Sequence, residues 1–165
     1  MERSRTQPVT LRVSLAAQTL TLLYGGVAAK TYSVSTSKHG AGELQGSLKT
    51  PRGRHVVRAK IGAGAPLNAV FRGRRLTGEI YSEELRRAHP HRDWILTRIL
   101  WLSGKEIGKN RLGSVDTMRR YIYIHGAPDS EPMGSPRSIG CIRMASADLA
   151  ELFDLVPAGT IVDIA

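Results

Sequence analysis

The chain has one cysteine in 165 residues, Cys141. A single thiol cannot close an internal disulfide, so folding does not depend on an oxidising compartment. The same scarcity excludes a structural zinc site, which needs several Cys and His ligands at short spacings. Long apolar runs are missing too. Residues 9–15, Val-Thr-Leu-Arg-Val-Ser-Leu, alternate, and Leu20-Thr21-Leu22-Leu23 is short and polar. The sequence therefore predicts neither a signal peptide behind Arg3 and Arg5 nor a membrane span. A cytoplasmic location is the expectation; a start further upstream would shift it to the periplasm or the cell wall.

Acidic residues are also few. There are 14 Asp and Glu against 24 Lys and Arg, a net charge of +10. That balance fits nucleic acid, an anionic membrane surface or a carboxylate-rich substrate or polymer. The basic residues are scattered, with Arg52, Arg54, Arg58, Lys60, Arg72, Arg74, Arg75, Arg86, Arg87, Arg119 and Arg120 among them. No aromatic-interleaved motif accompanies them, so no nucleic-acid partner is expected. A solvated basic face explains the charge as well.

What is present suits one globular unit. Hydrophobic residues make up 41%, and the length allows a real core, so residues 1–165 are expected to form a single domain. Val9, Leu11, Val13 and Leu15 mark one face of a half-buried strand. Residues 19–24 and 27–35 continue as strands around a Gly25-Gly26 turn, giving an antiparallel meander. Residues 37–53 are Gly/Ser/Lys-rich and close with Thr50-Pro51-Arg52-Gly53. Residues 55–61 form a further strand. Residues 70–93 carry no clear pattern beyond a short helical turn capped by Ser82. Residues 94–102 read as a central strand with Arg98 in its middle, a buried helix being the alternative, and 103–117 as loop. A strand over 119–126 ends on His125, followed by a Pro-rich loop over 127–137. The clearest helix starts near Ser146, with Leu149, Leu152, Phe153 and Val156 on one stripe. Pro157-Ala158-Gly159 ends it, and 160–164 is a final strand. The expected fold is mostly β (α+β), sandwich- or barrel-like, with one clear helix after the cysteine.

Cys141 and His125 are the candidate chemistry. A thiol needs a base to become a nucleophile at neutral pH, and imidazole suits that task. The segment Ser138-Ile139-Gly140-Cys141 leads towards the helix, so the thiol is expected near the helix's positive end, which lowers its pKa. Backbone N–H groups of Gly140 and Cys141 are candidate oxyanion donors. The Gly126 carbonyl, beside a missing side chain, is a candidate acceptor that orients His125.

These residues carry a resemblance. The pattern His125-Gly126 … Ser138-Ile139-Gly140-Cys141-Ile142-Arg143-Met144, then a helix and Gly159-Thr160-Ile161-Val162-Asp163-Ile164, resembles the L,D-transpeptidase catalytic domain of the YkuD type. Weaker upstream pieces agree: Gln18-Thr19-Leu20, Thr50-Pro51-Arg52-Gly53, Phe71-Arg72-Gly73-Arg74 and Thr77-Gly78-Glu79. The resemblance implies Cys141 as nucleophile, His125 as base and the Gly126 carbonyl as its orienting group, with Arg143 at the substrate mouth. It implies a peptidoglycan stem tetrapeptide as partner, attack on the bond after its amine-bearing residue (diaminopimelate), loss of the terminal D-alanine and an acyl-enzyme. An amine acceptor then gives a cross-link (L,D-transpeptidase); water gives L,D-carboxypeptidase activity. No metal or organic cofactor is implied. This chain departs at Ile139, where the family commonly has a second His.

Blander readings stand beside these. A lone Cys is usually a small core residue. Ser138 is either a substrate contact or a turn former. Arg143 can be a surface ion pair. Met144, Trp94 and Trp101 read as core, and His39, His55, His89 and His91 as surface or loop. The missing second His keeps a non-catalytic peptidoglycan-binding module open as the alternative.

Overall fold

The computed structural model describes residues 7–165; Arg3 and Arg5 lie outside them. Among those residues ten strands form one sheet, β1 (Val9–Ser14), β2 (Thr19–Tyr24), β3 (Val27–Ser35), β4 (Gly53–Ile61), β5 (Ala69–Arg72), β6 (Arg75–Ile80), β7 (Ile95–Gly104), β8 (Tyr123–Ala127), β9 (Ile142–Ala145) and β10 (Ile161–Ile164). A short helix α1 (Glu83–Ala88) and a longer helix α2 (Ser146–Leu155) complete it.

The strand order is β4-β10-β1-β2-β3-β9-β8-β7-β5-β6, with β4 also paired to β7. That pairing closes strands β4 to β7 into a barrel and removes its open edges. The β1–β2–β3 meander is antiparallel. Gly25 and Gly26 both have positive φ, 55° and 80°, the backbone a two-residue hairpin turn demands. Two pairings are parallel, β1–β10 and β8–β9.

Alternation along the strands builds two packed faces. Leu11, Val13, Leu20, Leu22, Val34, Leu100, Ile124, Ile142 and Met144 share one core. α2 presses Leu149, Leu152 and Phe153 into that core and lies against β7, β8 and β9. Each such buried aliphatic or aromatic side chain contributes about 1.5–3 kcal/mol relative to exposure. The opposite face of β7 and β8 carries Ile99 and Tyr123, which pack with Phe71 of β5, and Trp101 and Cys141 lie against them.

The unpatterned stretch over 70–93 holds a hairpin. β5 and β6 turn through Gly73 and Arg74, both at positive φ. The turn type normally signalled by Asn-Gly is made here with an arginine at a left-handed position. The Ser82 cap is present: Ser82 Oγ accepts from Leu85 N–H at 3.0 Å. Trp94 and Met144 are buried, as expected of core residues. His55 is not a surface residue. It is fully buried, with its two ring nitrogens at 3.0 Å from the Gly53 carbonyl and 2.9 Å from Thr117 Oγ1. Among the described residues no helix is long and apolar enough to cross a membrane.

Candidate active site

His125 lies inside β8, not at its end. The strand begins at Tyr123 and runs on through Gly126 and Ala127. Residues 119–121 are a turn, with Tyr121 at φ 56°. The Pro-rich loop is the crossover that lets β9 return parallel to β8, a connection that needs about a dozen residues. The register then pairs Ile124 with Ile142, His125 with Arg143 and Gly126 with Met144. Laterally paired residues point to the same face. Ile124, Ile142 and Met144 enter the barrel core, while Tyr123, His125 and Arg143 take the other face. Cys141, one residue before β9, packs on that second face too.

That strand overturns the expected role of the helix. β9 spans four residues between Cys141 and α2, about 13 Å of extended chain. The helix dipole falls off within one turn, so it does not act on the thiol. Burial instead pushes the Cys141 thiol up to about 12; the Tyr123 N–H works against the rise, Asp93 adds to it, and Arg143 and Arg120 oppose it. The half-buried sulfur accepts from Tyr123 N–H at 3.3 Å and donates to the Tyr121 carbonyl at 3.4 Å.

His125 is fully buried. Its Nδ1 is 2.7 Å from the Gly126 carbonyl. A carbonyl can only accept, so Nδ1 carries the proton and Nε2 is left with the lone pair. Nε2 is buried with no hydrogen-bond partner. Burial lowers the imidazole pKa; Asp93 and the Gly126 carbonyl raise it and Arg143 lowers it further. The ring is therefore neutral at pH 7 and able to accept a proton. Thiol and imidazole stand on neighbouring strands of one face, each uncharged, with no hydrogen bond between them.

Ser138 is a turn former. It is 1% exposed. Its Oγ donates to the Cys141 carbonyl at 2.6 Å and accepts from Gly140 N–H at 3.2 Å. That second bond occupies the Gly140 donor, which leaves the Cys141 N–H as the remaining oxyanion donor named from the sequence. Gly140 is further held by its carbonyl, which accepts from Thr50 Oγ1 at 2.9 Å. Thr50, from the Thr-Pro-Arg-Gly segment, also accepts from Ser37 N–H at 3.0 Å.

Arg143 donates to Asp93 Oδ1 at 3.0 Å, and its side chain is 15% exposed. It lines a cavity of about 220 Å³ with Lys38, Arg92, Asp93, Arg137 and Ile139 among its walls. The exposed Ile139 thus puts an apolar face where the family pattern has an imidazole. Asp93 carries no sequence signal; only the fold brings it to Arg143. Trp101, read as core, is half-buried and stacks near Tyr121 and Tyr123 beside the thiol. Arg98, the odd charge in β7, donates to the carbonyls of Ala65 and Thr97 at 2.8 and 2.6 Å and lies over the Phe153 ring. His39, His89 and His91 are exposed.

Comparison with known proteins adds to this geometry. The L,D-transpeptidase catalytic domain family, YkuD, matches residues 8–164. No curated protein sequence matches. Solved structures share the fold, and three of them illustrate the likeness. An L,D-transpeptidase from Mycobacterium smegmatis is 18% identical with a TM-score of 0.57, over 96% of this chain and 59% of that one. One from Xylanimonas cellulosilytica is 18% identical with a TM-score of 0.55, over 99% and 63%. L,D-transpeptidase 3 from Mycobacterium tuberculosis, solved with a faropenem-derived adduct, is 16% identical with a TM-score of 0.57, over 96% and 60%. The chain therefore spans about three fifths of the length of these relatives.

Proposed function

This chain belongs to the L,D-transpeptidase catalytic domain family, and we propose that it is a cysteine acyl-enzyme catalyst acting on peptidoglycan stem tetrapeptides. The observation that carries this reading is the buried, unpartnered Nε2 of His125, its other nitrogen tied to the Gly126 carbonyl, on the face that bears Cys141. A neutral imidazole with one nitrogen pinned is a base with a defined accepting atom.

The steps use this chain's own residues. The Cys141 thiol gives its proton to His125 Nε2, and the sulfur attacks the carbonyl carbon of the bond to the terminal D-alanine. The Cys141 N–H holds the oxyanion. Collapse breaks the C–N bond, and the imidazolium returns the proton to the leaving amine of D-alanine. A thioester on Cys141 remains. An acceptor amine or water, deprotonated by His125, then attacks the thioester and the thiol re-forms. The resting thiol is neutral because burial opposes its ionisation, so charge separates only when a substrate is in place to use it.

The walls of the 220 Å³ cavity favour a carboxylate-bearing substrate, since Lys38, Arg92, Arg137 and Arg143 face it against Asp93 and Glu131. Ile139 lines that cavity without a titratable group. Incubation with a purified tetrapeptide, with and without an amine acceptor, tests the reading by product mass. A tripeptide alone identifies hydrolysis, and a dimer or exchanged D-amino acid identifies transfer. Loss of turnover in Cys141→Ala is expected; unchanged turnover there, or none in wild type, leaves a non-catalytic binding module. Acylation of Cys141 by a penem, the adduct class solved on the Mycobacterium tuberculosis relative, is the supporting observation expected.

A further inference from the structure

We propose that Trp101, Tyr121 and Tyr123 form a cation subsite beside Cys141 that receives the side-chain ammonium group of the peptide substrate, and that Arg74 fills this subsite until the substrate displaces it. The inference rests on the catalytic reading above and adds to it the place where a positively charged part of the substrate sits.

The three rings are arranged around a cation. Trp101 and Tyr123 meet edge to face with centroids 5.9 Å apart, and Trp101 and Tyr121 lie 6.1 Å apart at 36°. The indole is fixed by its own N–H, which donates to the Met118 carbonyl at 3.1 Å. The Arg74 guanidinium stands 4.9 Å from the Trp101 centroid and 4.7 Å from that of Tyr121. Its Nη1 donates to Tyr123 Oη at 3.0 Å. Both distances are within the range over which a ring face attracts a cation. Among the described residues no carboxylate forms an ion pair with Arg74, so aromatic faces and one phenol are what hold its charge.

The cage adjoins the nucleophile through its own backbone. The sulfur of Cys141 is bonded to the Tyr123 N–H and the Tyr121 carbonyl, so two of the three cage residues flank it directly. A peptide with its acyl carbon at the sulfur presents a neighbouring ammonium to these rings.

The occupant is placed to leave. Arg74 sits at the tip of the β5–β6 hairpin at φ 65°, and Tyr121 at φ 56°. Left-handed backbone at a non-glycine residue stores strain that its surroundings must hold. The hairpin joins the barrel through only two register pairs, Val70 with Leu96 and Phe71 with Ile95. Most of β6 is exposed. Lifting the Arg74 side chain breaks its bond to Tyr123 Oη and leaves the β5–β7 pairing in place.

Cys141 is the only thiol, so its modification rate reads the cage directly. The probes are the cationic 2-aminoethyl methanethiosulfonate and the neutral methyl methanethiosulfonate, applied to wild type, Arg74→Ala, and Arg74→Ala with Tyr121→Ala. The expected result is a rise of about fivefold in the cationic-to-neutral rate ratio for Arg74→Ala, the size of one exposed cation–π contact. Adding Tyr121→Ala returns the ratio towards wild type. A ratio that stays raised in the double variant means that only the loss of a positive charge was felt, and it overturns the proposal. Equal acceleration of both probes, or none, overturns it as well. Matching circular dichroism across the variants checks the fold. In a second arm, acetylating the ammonium of a tetrapeptide should raise KM severalfold with kcat held; equal KM values sink the substrate assignment. If wild type turns over neither peptide while the probe ratios behave as expected, the catalytic reading has failed and the cage stands.

Discussion

The imidazole of His125 and the carbonyl of Gly126 are joined at 2.7 Å, a bond between neighbours in the chain that fixes which ring nitrogen is basic. The backbone that offers this carbonyl has no room for a side chain at Gly126. A Cβ built there would stand 2.6 Å from the Leu96 carbonyl and 2.8 Å from Ser146 Oγ. The first is backbone in the paired strand β7 and cannot turn aside. Gly126→Ala is expected to cost about 1–3 kcal/mol of stability, the usual range for overpacking, and to lower turnover further by displacing the carbonyl. Urea midpoints beside peptide turnover check this; an unchanged midpoint would show that β7 yields freely.

Ser138 and Cys141 give a second test, this time of a role read two ways in the sequence. If Ser138 touched substrate, Ser138→Ala would raise KM and leave stability alone. The structure has its hydroxyl closing the turn that presents the thiol, with bonds of 2.6 and 3.2 Å to the Cys141 carbonyl and Gly140 N–H. Removing it leaves buried polar groups unpaired, at about 1–3 kcal/mol. We expect a lowered melting temperature and a lowered kcat with KM little changed.

Two buried histidines set the acid stability. Burial lowers the His55 pKa to about 4 and lowers that of His125 as well. An unfolded imidazole titrates near 6.5. Below that pH the unfolded chain takes up protons that the folded chain refuses until about pH 4. Stability is therefore complete above pH 6.5 and lost as pH falls towards 4, by about 3 kcal/mol for His55 alone. Melting temperatures across this window check the slope. His55→Gln should flatten it; a slope identical to wild type would mean that other groups carry it.

How far the sequence spoke depended on how local each signal was. The meander was legible because Gly25-Gly26 and strict alternation act within a few residues. The stripe of Leu149, Leu152 and Phe153 announced α2 for the same reason. The β5–β6 hairpin was not legible, because Gly73-Arg74 makes its turn with an arginine at positive φ. Strand β9 was hidden because Ile142-Arg143-Met144-Ala145 is too short to show a period before the helix. That omission misplaced the helix relative to the thiol and turned the expected pKa the wrong way. Cys141, His125 and Gly126 could be singled out as candidates because their residue types limit their chemistry. Asp93 and Trp101 were missed as site neighbours because only the three-dimensional pairing brings them there.

Asp93 gives the last test, since one carboxylate acts on both members of the candidate pair. Its charge raises the pKa of His125 and of Cys141, and its Oδ1 holds Arg143 at 3.0 Å. Asp93→Asn removes a negative charge that favours the imidazolium and disfavours the thiolate. It also leaves Arg143 unneutralised, and Arg143 lowers both pKa values. The two effects have the same sign. The base then loses its proton at lower pH, so the acid limb of kcat/KM moves down. The thiolate also forms at lower pH, so the alkaline rise in Cys141 alkylation by iodoacetamide moves down as well. A residue with a purely structural part would lower the amplitude of both profiles and leave their midpoints in place. Midpoints that stay fixed, or that move apart, would remove Asp93 from the electrostatics of the site and leave it as the anchor of Arg143.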